Sequence, residues 1–185
     1  MTRMATTCTI VTAGLVMAGT AVAQSDQAMI DEALSAAPPQ LRDEVVVRAL
    51  DGTLLREGDE TFTCMPAPEA FAGPMCLDQA WMGWFEAYQN QEDFTPDRIG
   101  IAYMLAGDSS GGGASNIEPY AQGPSPENNW VVEGPHVMII VPDDSILDGL
   151  PVTPDTDGPY VMYPDTPYAH IMLPVDERPE QRPLQ

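Results

Sequence analysis

From residue 44 onward the apolar residues of this chain fall in short runs, punctuated by Asp-Gly, Gly-Pro and Pro-Asp pairs. Such runs between turn signals predict strands. EVVVRAL (44–50) and TLLREG (53–58) flank Asp51-Gly52, a pair that supplies the positive φ of a tight hairpin. ETFTC (60–64), RIGIAYML (98–105), WVVEG (130–134), HVMIIV (136–141), PYVMY (159–163) and YAHIML (168–173) read as further strands. Two segments instead carry the helical period. DQAMIDEALSAA (26–37) follows Ser25 as N-cap, places Met29, Ile30 and Leu34 on one side, and stops at Pro38-Pro39. LDQAWMGWFEAYQNQ (77–91) puts Trp81, Trp84, Phe85 and Tyr88 at i, i+3, i+4 and i+7, the stripe of a helix laid on a sheet. DDSILDGL (143–150) predicts a helical turn.

Strands and helices mix without a βαβ rhythm. This predicts an α+β fold: one domain with a mainly antiparallel sheet and two or three helices packed on it. AGDSSGGGASN (106–116) reads as a flexible Gly/Ser loop and IEPYAQGPSPENN (117–129) as an extended surface excursion. Residues 24–175 are the expected domain, and 176–185 a polar, proline-marked tail that frays.

Residues 1–23 change the picture of where the chain works. Arg3, an apolar run around Ile10 to Met17 and the small residues Ala21-Val22-Ala23 have the order of a secretory signal peptide cleaved after Ala23. Cys8 leaves with it. No later run reaches the roughly 20 apolar residues of a membrane helix. The expected location is therefore periplasmic or secreted. There the remaining cysteines, Cys64 and Cys76, are expected to form a disulfide, since their spacing is far from the CxxC of metal or redox pairs.

The 28 acidic residues all follow Ala23, and with Arg3 removed only six basic side chains oppose them, a net charge of −22. Such a field attracts cations and repels nucleic acid and anionic lipid. Nucleic-acid binding is excluded, and the absence of lysine removes P-loop, Schiff-base and Ser-Lys chemistry.

The candidate chemistry sits in the C-terminal third, where the chain's two histidines each stand two residues before a methionine. Strand alternation puts His136 with Met138 and Ile140, Tyr160 with Met162, and Tyr168 and His170 with Met172. If these strands are neighbours in register, imidazoles, thioethers and phenols gather on one surface. Thioether plus imidazole suits monovalent copper, with His136, Met138, His170 and Met172 as ligands. Tyr160, Tyr168 and Met162 would line an adjoining ligand pocket. The competing reading is a sheet interior, because both sides of HVMIIV are apolar and methionine fills core gaps. A hydrolase with His170 as base has no matched nucleophile. GDSSGGG (107–113) superficially resembles the nucleophile motif of trypsin-like proteases, but an extra serine breaks the register. Asp155 and Asp157 before Gly158 lack the ligand order of an EF-hand.

TFTCMP, PMCLDQAWM, RIGIAYML, PHVMIIVPD, GPYVMY and TPYAHIMLPV, in this order, resemble a family of small, uncharacterised exported bacterial proteins over roughly residues 45–175. The resemblance implies export and a single domain and carries no activity or catalytic residue. The expected function is an exported, non-catalytic domain binding a small molecule, cation or protein partner near the Gly/Ser loop and the His/Met strands. Copper binding is the alternative.

Overall fold

A computed structural model describes residues 18–68, 73–109 and 112–179. Most of the predicted leader (1–17, with Cys8) and the end of the tail (180–185) lie outside these.

The chain forms helix α1 (Ala18–Ser35), strands β1 (Val45–Arg48), β2 (Leu54–Arg56), β3 (Asp59–Met65) and β4 (Met75–Asp78), and helix α2 (Gln79–Asn90). Strands β5 (Gly100–Met104), β6 (Ala114–Ser115), β7 (Trp130–Val131) and β8 (His136–Ile140) follow, then a 3-10 turn (Asp144–Leu147), β9 (Tyr160–Met162) and β10 (His170–Pro174). Eight strands make one sheet in the order β2-β1-β3-β4-β5-β8-β10-β9, and β6 pairs with β7 separately. Only β1 and β3 run parallel; the other pairs are antiparallel. The fold is thus α+β with a mainly antiparallel sheet. Among the described residues no helix is long and apolar enough to cross a membrane.

One expectation is extended. Helix α1 does not start at Ser25 but runs through it from Ala18, because an alanine-rich stretch without proline continues the helix as readily as a cap begins it. Cys64 and Cys76 stand directly opposite on β3 and β4 and form the disulfide, their Cα atoms 3.9 Å apart.

The two sides of the sheet are packed differently. Against β1, β3 and β4, helix α1 lays Ala33, and the turn after it Ala36 and Ala37, all fully buried, on Val45, Val47 and the disulfide. On the opposite side α2 seats Trp81 and Trp84 over the methionine-bearing strands. Asp78 sets that helix in place: its Oδ1 accepts the Trp81 N–H (2.9 Å) as N-cap and its Oδ2 accepts the Ile101 N–H of β5 (2.7 Å). Gly100 permits the close approach, since a Cβ there would meet Ile140 at 2.7 Å and Ala80 at 2.9 Å.

Candidate functional site

Alternation and register together build the site. Met138 lies opposite Met172 and His136 opposite Pro174 across β8 and β10; His170 faces Met162 across β10 and β9. On the other flank of β8, Met104 stands opposite His136. All of these share the α2 side of the sheet. With Trp81 and Trp84 above them they line a cavity of about 270 Å³, into whose lining Met75, Met104, Met138, Met162 and Met172 all enter.

The segment 113–121 closes over it. The expected surface excursion, 117–129, leaves Glu118, Tyr120, Gln122 and Pro126 exposed and is pinned at its two ends by buried amides and hydroxyls. Ser115 donates to the Asn128 carbonyl (2.7 Å), Asn116 Nδ2 to the Val152 carbonyl (2.8 Å), and Asn116 and Asn128 are buried. Pro119 and Ala121 line the cavity. Tyr88 donates from its hydroxyl to the Pro119 carbonyl, Tyr120 to the Tyr168 hydroxyl (2.6 Å), and Tyr168 to the Glu92 carbonyl (2.8 Å). A polar, proline-marked segment reads as solvated because its partners lie far off in sequence; here they tie it to α2 and to the turn before β10.

His170 is the chemical centre of one end. Its Nδ1–H donates to the Tyr168 carbonyl (2.9 Å), which fixes the neutral tautomer and leaves Nε2 with a free lone pair. That Nε2 is sealed from water without a protein partner. Trp81, Trp84 and Tyr163 stand nearly perpendicular to the imidazole, with centroids 5.1, 5.6 and 5.6 Å away. Burial, aided by the neighbouring His136, pushes its pKa down to about 4, so the ring stays neutral at physiological pH. Tyr163 adopts a left-handed backbone (φ 55°) and donates its N–H to the Asn116 carbonyl (2.7 Å). Such backbone costs about 1–3 kcal/mol and persists where surroundings impose it, here holding a ring against His170. Sequence patterns carried no sign of this.

The other end is polar. Glu133, almost fully buried, accepts the Tyr160 hydroxyl (2.7 Å) and receives Arg178 Nε on both oxygens at 2.9 Å, with Arg178 Nη2 at 2.7 Å. Arg178 also donates to the Pro154 carbonyl. The start of the tail is therefore docked, where its composition predicts fraying. Asp108, from the Gly/Ser loop, accepts the Glu133 N–H (2.7 Å) and returns its own N–H to the Glu133 carbonyl (2.8 Å). Burial, reinforced by the Glu133 charge against the hydrogen bonds it accepts, pushes Asp108 up to about 7. His136 belongs to this end. Its Nδ1–H donates to the Gly134 carbonyl (2.7 Å), and burial lowers its pKa.

The candidate residues therefore divide. His136, Met138, Met162, His170 and Met172 line one cavity. Tyr160 and Tyr168 are not in its wall; their hydroxyls donate to Glu133 and to the Glu92 carbonyl. The two histidines line the same cavity and their charges interact, but their backbone positions are offset along the strands. His170 is four residues out of step with Pro174, the partner of His136, an offset of about 13 Å along the strands. Among the described residues no three His, Cys, Asp or Glu side chains cluster as a metal site. Comparison with known proteins finds no matching family model, no matching curated protein and no matching solved structure.

Proposed function

We propose that this chain is an exported, non-catalytic binding protein that holds one small, mainly apolar molecule beneath α2. Its leader-like residues 1–23 and the Cys64–Cys76 disulfide support export. The observation that carries the binding is the unpartnered Nε2 of His170 in the wall of a 270 Å³ cavity. A buried acceptor without a donor costs about 1–3 kcal/mol, which a ligand N–H or O–H relieves. An apolar cavity of about 150 Å³ already takes benzene, so this one suits a one- or two-ring molecule, and the methionines adapt to its outline.

Calorimetric titration with phenol and with toluene, matched in shape, tests this. Phenol is expected to bind about 5-fold tighter, the worth of one hydrogen bond, and His170→Phe to erase that preference. Val131→Phe, which pushes a ring into the cavity from its wall, is expected to block both. Failure of both molecules to bind at millimolar concentration removes the reading.

A further inference from the structure

We propose that the His170 end of the cavity also holds one Cu(I) ion, on His170 Nε2 and the thioethers of Met162, Met172 and Met138. The donor set follows from the register. Met162 is the direct cross-strand partner of His170, Met172 is two residues along the same strand on the same face, and Met138 is the direct partner of Met172. Direct partners have Cβ atoms about 4.5–5.5 Å apart, within reach of long, flexible thioether side chains converging on one ring nitrogen.

Three further features favour a soft monovalent ion. The Nδ1–H of His170 is spent on a backbone carbonyl, the outer-shell arrangement that orients ligating histidines and frees Nε2. The remaining donors are uncharged sulfur, and the cavity's two carboxylates are already engaged: Glu133 with Arg178 and Tyr160, and Asp108 with the Glu133 N–H. A divalent ion would be buried there without counter-charge, whereas Cu(I) prefers thioether and imidazole and carries half the charge. Neither the sulfurs nor the neutral imidazole must lose a proton to bind. His136, four residues out of step, falls outside the set, so the ligand group is one histidine and three methionines instead of two of each.

Cu(I) and small-molecule binding share the cavity but fail separately. The disulfide-bonded protein would be titrated anaerobically with Cu(I) against a colorimetric chelator, alongside the phenol titration. A 1:1 complex is expected, and a Met162→Leu, Met172→Leu double variant, which keeps side-chain volume, is expected to weaken it about 100-fold. His136→Gln is expected to leave affinity within about 3-fold, because that ring is not a ligand. Near-UV circular dichroism and the thermal midpoint check that each variant folds. Long-range ¹H–¹⁵N spectra with Ag(I), a redox-silent stand-in, should shift His170 Nε2 and leave its Nδ1–H in place. Absence of a 1:1 complex, unchanged affinity in the folded double variant, an equal loss in His136→Gln, or equal affinity for Zn(II) would overturn the assignment. Phenol binding without Cu(I) binding would overturn the metal site alone.

Discussion

The two sides of the sheet solve the burial problem with opposite side chains. The α1 side sets its most deeply buried contacts with small or rigid ones, Ala33, Ala36 and Ala37 on Val45, Val47 and a disulfide, with larger residues such as Leu34 and Phe62 around them. The α2 side uses long methionines and large rings, and these leave 270 Å³ that protein atoms do not fill. Close packing recovers dispersion contacts at every atom. A methionine-lined gap forgoes some of them and gains adaptability. One sheet thus separates a stabilising side from a side free to carry function.

That division meets its strongest challenge at Arg178, because the α2 side also holds the buried Glu133. Replacing Arg178 with leucine leaves that carboxylate with Tyr160 as its side-chain donor and no balancing charge. Breaking a buried pair from one side costs about 3–5 kcal/mol. Urea unfolding is the measurement. A loss under about 1 kcal/mol would show that water or another cation replaces the guanidinium as in an exposed pair. A full loss would show that the soft side contains one rigid anchor, and that residues 176–179 belong to the folded unit.

A paired substitution probes packing itself. Ala33→Leu adds atoms where α1 meets the sheet with no space to receive them, and overpacking of this kind costs about 1–3 kcal/mol. Val131→Phe adds a comparable bulk on the other side, where the cavity accepts it, and should cost under about 1 kcal/mol or stabilise. Thermal midpoints of the two variants, compared with the parent, decide this. Equal losses would mean that both sides are equally filled in solution.

How far the sequence shows this division depends on which feature is asked for. Period two assigns His136, Met138, His170 and Met172 to one side of their strands, and the structure puts them there. Alternation carries parity, however, and not offset. A strand slid by four residues keeps every side chain on its own side, so the separation of the two histidines was invisible until register was known. The aromatic stripe of α2 was legible for a similar reason, being local. What escaped is long-range: Arg178 reaching back 45 residues to Glu133, and Tyr120 reaching 48 residues to Tyr168. Asp108 escaped because Gly/Ser composition signals a loop and says nothing of where one polar member points.

Asp108 provides the subtlest test of the comparison, since it asks whether the polar end of the cavity is dry. Its pKa is raised from 3.8 to about 7, with burial as the largest cause. The folded state therefore keeps a proton that the unfolded chain has already released. Below pH 3.8 both states hold it, and stability does not respond. From there to about pH 7 the folded state binds more protons, so stability falls as pH rises, by up to about 1.4 kcal/mol per pH unit from this one group. Above pH 7 both states are ionised and the penalty stays constant. Asp108→Asn keeps an oxygen able to accept the Glu133 N–H and removes the titration. The buried histidines, present in both proteins, cancel in the difference. Urea unfolding of metal-free parent and variant from pH 4 to 8 should give curves that diverge with pH, the variant becoming relatively more stable until about pH 7. Parallel curves would mean that water reaches Asp108 and that this end of the cavity opens to solvent, leaving the His170 end as the only dry part of the site.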